Sequence, residues 1–183
     1  PVLVEPDPGT CNIDPEKIES YISSETRAIM PVHLYGLACD MESIMSIAHK
    51  YNLRVIEDCA QSHGSKVFHK MTGSFDIGCF SFYPTKNLGA LGDAGMITSS
   101  DEDFISRVRA LRNYGSERKY HNLFLGFNSR LDEVQASILL VKLKYIDEIT
   151  LHRRTIAEIY NSKISNSALK PVCNHDGDHV YHI

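Results

Sequence analysis

Apolar and polar residues in the first third of the chain follow two different periods, which predicts strands alternating with helices. Residues 28–33 and 54–57 form short, largely apolar runs of the strand type. Between them lies an amphipathic pattern that begins after Asp40, a residue type that caps helices. Its apolar members are Met41, Ile44, Met45 and Ala48, at steps of three and four. This alternation predicts an α/β fold with a mostly parallel sheet and helices on both of its faces.

The remaining sequence adds elements on both sides of this unit. Asp14 and Pro15 are typical of a helix start, and residues 1–5 have the β-branched composition of a strand. Asp101 is expected to cap a helix that ends near residue 112. Further strands are predicted at 67–73, 78–82 and 95–99, and a loop at 113–128.

Residues 130–164 carry apolar side chains at steps of three and four, which predicts one long helix. At about 1.5 Å per residue it would be on the order of 50 Å long, enough to leave one domain and enter another. We therefore predict that residues 1–129 are part of a large domain, and that 130–183 contain a connecting helix and the start of a small domain. Because the chain begins with Pro1 and ends inside a strand-like run, it is interpreted as a piece of a longer protein.

Composition limits the classes of function. The formal net charge is −4 and there is no run rich in lysine and arginine, which argues against nucleic-acid binding. No apolar run is long enough to span a bilayer and no signal peptide is visible, so a cytoplasmic protein without membrane contact is expected.

Thiols and possible metal ligands give no sign of a further cofactor. Five cysteines without a CxxC pair are interpreted as free thiols in a reducing compartment. They are Cys11, Cys39, Cys59, Cys79 and Cys173. A polar stretch with His175, Asp176, Asp178 and His179 has the spacing of two ligands but no third anchor, so no metal site is predicted.

The first stretch with candidate chemistry is residues 56–64, Ile-Glu-Asp-Cys-Ala-Gln-Ser-His-Gly. Asp58 lies just past the carboxyl end of a predicted parallel strand, the edge at which open α/β sheets bind ligands. A carboxylate there can keep a proton on a heterocyclic nitrogen. The alternative is that Asp58 only caps the following turn, as aspartates at strand ends often do.

The second stretch is residues 78–89, where Lys86 follows an apolar, aromatic-rich strand and a proline. A lysine that forms a Schiff base must be neutral part of the time and therefore favours a partly desolvated site. Ser81 could donate its hydroxyl to a phosphate. An ordinary surface lysine and a small strand residue are the alternatives. Asp58 and Lys86 together favour pyridoxal 5'-phosphate, which needs a carboxylate at its ring nitrogen and a lysine at its aldehyde.

Five motifs occur in order along the chain. They are Asp14-Pro15 and residues 29–36 (IMPVHLYG), 56–64 (IEDCAQSHG), 79–86 (CFSFYPTK) and 126–135 (GFNSRLDEVQ). Together they resemble the DegT/DnrJ/EryC1/StrS family of sugar aminotransferases over residues 1 to about 164. The resemblance implies the fold-type I aminotransferase architecture, pyridoxal 5'-phosphate as cofactor, and a homodimer with shared active sites.

The resemblance also implies roles for five residues. Lys86 forms the Schiff base, Asp58 pairs with the pyridine nitrogen, and Gln61 lies against the cofactor ring near its hydroxyl. Ser81 binds the phosphate, and Asn128 reaches the phosphate of the neighbouring subunit's cofactor. For Asn128, a position in the N-cap region of the long helix is an alternative that could coexist with phosphate binding.

The function implied by the resemblance is transfer of an amino group from glutamate to a nucleotide-linked keto-sugar, with a dTDP-keto-6-deoxyhexose as the expected substrate. A pyridoxamine-phosphate-dependent sugar dehydratase of the same family is an alternative, but such enzymes typically replace the lysine, often with histidine. A non-catalytic regulatory homologue is the other. Lys86 argues against the dehydratase, and the retained pair of Asp58 and Lys86 argues against the regulatory homologue. This piece of the protein alone is expected to be inactive.

Overall fold

A computed structural model describes residues 1–118, 120–169, 171–172 and 178–183. Its α-helices are α1 (Pro15–Ile18), α2 (Met41–Tyr51), α3 (Glu102–Leu111), α4 (Glu133–Leu143) and α5 (Ile146–Lys163), with short 3-10 turns at Glu19–Tyr21 and Leu34–Gly36. Its strands are β1 (Ala28–Ile29), β2 (Arg54–Asp58), β3 (Lys66–Val67), β4 (Lys70–Met71), β5 (Ile77–Ser81), β6 (Gly95–Ser99), β7 (Ser116–Arg118) and β8 (His121–Asn122).

The central sheet has the strand order β1–β2–β5–β6. β1 pairs with β2 and β2 with β5 in parallel, whereas β6 returns antiparallel to β5. A mostly parallel sheet with flanking helices was predicted from the sequence and is confirmed. Because β2 and β5 run in the same direction, their carboxyl ends meet at one edge of the sheet.

Helix α2 forms where its caps and apolar stripe predict it. The Asp40 carboxylate accepts the backbone N–H of Ser43, and Asn52 ends the helix in the left-handed conformation at φ 53°. Met41, Ile44 and Ala48 on its inner face are buried against Val55 of β2 and Ile29 of β1. This packing fixes the sheet face that lies opposite the candidate site.

A second apolar cluster supports the segment after β5. Its buried members are Phe82, Leu88, Ala90 and Leu139, with Ile146 of α5 packed against them. The C-terminal segment 178–183 crosses the same region: Arg153 donates to the carbonyls of Tyr181 and His182, at 2.8 and 3.1 Å. The segment therefore holds α5 against the rest of the domain.

Three predicted elements differ from the structure. Residues 1–5 form no strand among the described residues, and Leu3 is 87% exposed, because a β-branched run needs a partner strand to become one. The predicted strand at 67–73 is the hairpin β3–β4, which turns at His69, and the predicted loop at 113–128 contains the hairpin β7–β8.

The single long helix predicted from residue 130 is also wrong. The chain forms α4 and α5 instead, interrupted at Lys144 and Tyr145, where Tyr145 has φ −111° and ψ 6°. The N–H of Tyr145 bonds to Lys142 three residues back, which tightens the last turn of α4 and ends it. None of the helices in the described part of the chain has the length and apolar character needed to cross a membrane.

Candidate active site

The carboxyl ends of β2 and β5 bring Asp58 and Ser81 to one face of the sheet. Asp58 pairs in register with Cys79, and residues paired across neighbouring strands point to the same side. Ser81 is two residues beyond Cys79 on β5, so it shares that side. The sheet thus places a carboxylate and a hydroxyl along one line, with Lys86 in the turn that follows β5.

Asp58 caps the turn after β2, which is the alternative role expected for it from the sequence. Its Oδ1 accepts the N–H of Ala60 at 3.0 Å. Oδ2 has no hydrogen-bond partner among the residues that the structure describes. The side chain is half-buried, so one oxygen fixes the turn while the other remains available to a ligand.

Gln61 follows in the same turn and has one end of its amide engaged. Its Oε1 accepts the N–H of Tyr35 at 2.6 Å. Tyr35 has φ 58° in the 3-10 turn Leu34–Gly36, a left-handed conformation that directs this N–H outward. The hydrogen bond leaves the Nε2 amide of Gln61 as a donor for a ligand.

Lys86 lies in a tight turn held from several directions. Its backbone N–H bonds to the Tyr83 carbonyl at 2.9 Å. The next residue, Asn87, is buried and donates to the Val180 carbonyl at 3.0 Å, and its Oδ1 lies 3.0 Å from Nδ1 of His182. Lys86 is half-buried and its Nζ makes no hydrogen bond or ion pair within the described ranges. The turn therefore fixes the backbone of Lys86 while its amine stays free to react.

The Ser81 hydroxyl accepts the N–H of Tyr83 at 3.3 Å. Since a hydroxyl has one proton to donate and two lone pairs, its O–H remains available to an anion. The sequence predicts that Ser81 binds a phosphate, and its O–H is the donor that such a ligand requires.

Asn128 lies in the segment that precedes α4. Its side chain is exposed, and its Oδ1 accepts Nε of Arg130 at 3.2 Å. It lines an open cavity of ≈ 1060 Å³ that also includes Cys79, the strand partner of Asp58. Helix α4 begins after Asp132, so the alternative that Asn128 caps this helix is wrong.

One buried residue of this region was not predicted from the sequence, although it lies inside the motif at 56–64. His63 is 3% exposed, and neither of its ring nitrogens has a hydrogen-bond partner among the residues that the structure describes. Its ring packs at 5.6 Å from those of Phe80 and Phe82. Burial lowers the pKa of His63 to about 4; the Ser81 carbonyl opposes this shift, and the charges of His182 and Lys86 add to it. The buried ring of His63 near Lys86 is thus uncharged at neutral pH.

Acidification is expected to destabilise the protein through His63. Its pKa is about 4 in the folded chain against an ordinary value of 6.5, so between these values the unfolded chain binds more protons. The stability contributed by the neutral ring is therefore complete above pH 6.5 and is lost as the pH falls towards 4. The shift corresponds to about 2 kcal/mol of unfolding free energy at about pH 5.

Denaturant unfolding at about pH 7.5 and about pH 5 measures this effect. His63→Gln should reduce the loss of stability between the two values by about 2 kcal/mol. His49→Gln is the matched control, because His49 is exposed on α2. Equal losses in His63→Gln and the unchanged protein would contradict the expected neutral state of His63.

The cysteines of the described chain are free, as expected. They are Cys11, Cys39, Cys59 and Cys79. Burial, aided by the charge of Glu57, raises the pKa of Cys39 and Cys59, which keeps both as thiols. Cys173 and the polar residues His175 and Asp176 lie outside the described residues.

Comparison with known proteins shows the family of this chain. The family model described as "DegT/DnrJ/EryC1/StrS aminotransferase family" matches residues 1–183. The chain is 58% identical over 185 residues to the dTDP-3-amino-3,6-dideoxy-alpha-D-galactopyranose transaminase of Aneurinibacillus thermoaerophilus, covering 100% of this chain and 51% of that protein. It is 48% identical over 161 residues to a protein of Geobacillus stearothermophilus named "Pleiotropic regulatory protein", covering 87% and 43%.

Structural similarity extends over the whole chain. The crystal structure of S. venezuelae DesV in complex with a ketimine intermediate matches with a TM-score of 0.95 and 40% sequence identity, covering 100% of this chain and 50% of that one. This likeness confirms the expected fold-type I architecture. The chain spans about half the length of the curated relatives it matches. On both the sequence and the structural match, the chain belongs to the DegT/DnrJ/EryC1/StrS aminotransferase family.

Proposed function

We propose that the protein containing this chain is a pyridoxal-phosphate-dependent aminotransferase that moves an amino group from glutamate to a nucleotide-linked keto-sugar. The observation that carries this proposal is that Asp58 ends β2 and Lys86 follows the adjacent parallel strand β5, with Ser81 on the same face as Asp58. The relative from Aneurinibacillus thermoaerophilus is named as a transaminase of a dTDP-linked 3-amino sugar. A dTDP-keto-6-deoxyhexose is therefore the proposed acceptor.

The free donors and acceptors of the site fit the cofactor. Among the described residues, the amine of Lys86 and Oδ2 of Asp58 have no partner, and the O–H of Ser81 is not used as a donor. Gln61 offers its Nε2 amide near the expected ring hydroxyl. When bound, pyridoxal 5'-phosphate supplies an electron sink for the proton transfers of transamination. Each residue would thus use the group that the protein's own hydrogen bonds leave free.

The chain's own residues would divide the work as follows. Nζ of Lys86 would hold the cofactor in the resting enzyme and, once released, would accept and donate the proton of the transfer. Oδ2 of Asp58 keeps a proton on the ring nitrogen. The buried neutral ring of His63 adds no positive charge near the amine of Lys86.

A regulatory homologue is the second candidate, because one relative is named as a regulatory protein. A sugar dehydratase is disfavoured by Lys86, the residue that such enzymes typically replace. An assay with purified full-length protein separates these three candidate functions. It contains pyridoxal 5'-phosphate, glutamate and dTDP-linked 3-keto and 4-keto sugars. An aminotransferase releases 2-oxoglutarate and amino sugar in equal amounts. Loss of water from the sugar without gain of nitrogen indicates a dehydratase, and no turnover of any sugar favours the regulator.

The functional unit is proposed to be a homodimer in the cytoplasm, with the large domain at residues 1–129 and the connection to a small domain at 130–183. Large apolar side chains beside Asn128 support a dimer: Leu125 is 96% exposed and Phe127 70%. Exposed apolar patches of this kind mark protein–protein contacts. In this arrangement Asn128 serves the phosphate of the partner's cofactor.

Mixing two inactive variants, Lys86→Ala and Asn128→Ala, is expected to restore activity in the heterodimer. One site of the mixed dimer receives both changes, whereas the other combines an intact Lys86 with an intact Asn128 from the partner. Loss of one charge-assisted hydrogen bond costs about 1.5–3 kcal/mol, so Asn128→Ala alone should be severely impaired. Turnover per heterodimer near half that of the parent dimer is the expected result. A verified heterodimer without recovery means that Asn128 acts within its own chain.

A further inference from the structure

A fully buried polar network lies directly behind Asp58, on the other side of β2. His33 and Glu57 are both 0% exposed, and His33 Nε2 lies 3.2 Å from Glu57 Oε2. The same Oε2 accepts the N–H of Gly73 at 2.7 Å, and Oε1 accepts the N–H of Phe75 at 2.9 Å. Three N–H donors therefore converge on one carboxylate in the protein interior.

The hydrogen bonds define the protonation of this pair. His33 Nδ1 accepts the N–H of Cys39 at 3.1 Å, so it carries no proton. A neutral imidazole has its proton on the other nitrogen, and Nε2 therefore donates to Glu57. The network is a neutral histidine bonded to an ionised carboxylate, and three N–H donors stabilise that charge.

The same residues with Cys59 form a cluster whose possible ligand atoms lie within 4.8 Å of one another. A metal would need a lone pair of His33, but Nδ1 already accepts a backbone N–H and Nε2 already donates to Glu57. Glu57 uses both oxygens for backbone N–H groups. The donor set is thus committed to holding protein segments together.

Those segments carry the groups of the proposed cofactor site. The backbone N–H of His33 donates to the Asp58 carbonyl at 3.1 Å, and the N–H of Asp58 donates to Pro31 at 2.9 Å. The carbonyl of His33 accepts from Gly36 at 3.3 Å, closing the turn whose Tyr35 N–H holds the Gln61 side chain. One pair of side chains thereby anchors the strand of Asp58 and the turn that orients Gln61.

The third segment is the turn at residues 73–75, which packs on β5. A Cβ at Gly73 would lie 2.5 Å from ring atoms of Phe80, so this turn touches the strand that ends in Ser81. Glu57 binds this turn through both oxygens. Its carboxylate therefore connects β2 to the strand that carries the phosphate-binding hydroxyl.

We propose that His33 and Glu57 are positioning residues, which hold Asp58, Gln61 and the β5 turn in one arrangement without touching the cofactor themselves. This inference rests on the proposed function for the identity of the ligand, but not for the geometry. It predicts that breaking the pair loosens the segments 33–36, 58–61 and 73–75 together and weakens binding of the cofactor.

Two variants at His33 separate positioning from general destabilisation. In His33→Gln the amide Nε2 can replace the ring Nε2 as donor to Glu57, whereas His33→Asn can only replace Nδ1 and leaves Glu57 one donor short. Glu57→Gln is the third variant, because its NH2 group must face a backbone N–H. Ile44→Ala is the control: Ile44 is fully buried under α2 and belongs to the core rather than to this network.

The full-length protein is used for two measurements. Titration of cofactor-free enzyme with pyridoxal 5'-phosphate should show affinity weakened roughly 10- to 100-fold in His33→Asn and Glu57→Gln, the range found for residues that orient the ligands of a bound group. His33→Gln should recover most of this affinity. Ile44→Ala should keep its affinity within about twofold of that of the unchanged protein, at a melting temperature similar to that of His33→Asn. Amide hydrogen exchange of the cofactor-free protein should speed up in the three segments together in His33→Asn and Glu57→Gln, but not in His33→Gln or Ile44→Ala.

These measurements distinguish failure of the positioning role from failure of the proposed function. If His33→Asn and Glu57→Gln lose no more affinity than Ile44→Ala, or if exchange rises evenly over the domain, the positioning role is refuted. Should Glu57→Gln fail to fold, His33→Asn and His33→Gln alone decide by the same criteria. Failure of the unchanged protein to bind the cofactor contradicts the proposed function, while the exchange pattern still decides whether the pair positions these segments.

Discussion

Lys86→Ala is expected to reduce transamination roughly 10⁴-fold, the largest effect of any single change in this chain. The amine of Lys86 has two tasks in the proposed reaction, covalent attachment of the cofactor and proton transfer. Proton transfer by a positioned side chain alone contributes about 10²–10⁴-fold. The backbone of the turn should persist, because it is held by Asn87 and by the Lys86 N–H rather than by the amine.

Single-turnover and steady-state rates with glutamate measure this loss. Lys86→Arg keeps the positive charge but cannot form the covalent link, so it should be as inactive as Lys86→Ala. Lys66→Ala is the control, since Lys66 is an exposed lysine of β3 in the same domain. Activity of Lys86→Ala within about tenfold of the parent protein would remove Lys86 from the reaction.

Asp58→Asn is expected to lower kcat roughly 10²–10³-fold, the usual cost of losing one electrostatic stabiliser of a transition state. An uncharged amide cannot hold a proton on the ring nitrogen, and the electron sink weakens. The asparagine keeps an oxygen for the N–H of Ala60, so the turn after β2 should remain folded. Cofactor binding should weaken much less than kcat falls.

Asp101→Asn is the matched control for this change. Asp101 also accepts a backbone N–H through one carboxylate oxygen, at the N-cap of α3, and its asparagine keeps that acceptor. Its kcat should stay within about twofold of the parent value. Near-normal turnover of Asp58→Asn would show that Asp58 is a turn residue and nothing more.

The elements that support the site were predicted from local sequence signals. Asp40 and the apolar stripe of α2, and the apolar runs of β2 and β5, specify elements whose capping and burial are local properties. The motifs also indicated which residues lie at the carboxyl ends of these strands and in the turns after them. Asp58, Gln61, Ser81 and Lys86 could therefore be named before their positions were known.

Elements whose form depends on distant contacts were predicted poorly. Apolar positions continue at helical spacing on both sides of Tyr145, so periodicity alone could not reveal the break between α4 and α5. The strands of the hairpin β7–β8 have three and two residues, fewer than a reliable alternating pattern needs.

The network behind Asp58 was missed for the same reason. His33 and Glu57 are 24 positions apart, and Glu57 reaches the N–H of Gly73 16 positions further on. His33 ends an apolar run in the sequence, which agrees with its burial but does not indicate its partner. Hydrogen bonds between segments that are distant in sequence leave no periodic signal along the chain.

Borohydride reduction of the full-length protein with bound pyridoxal 5'-phosphate tests the central claim most directly. Reduction fixes the cofactor onto the lysine that carries it, and peptide mass spectrometry then identifies that lysine. We expect a single modified peptide with the cofactor on Lys86, and no modification in Lys86→Ala. Cofactor fixed on another lysine, such as Lys66 or Lys70, would contradict this claim.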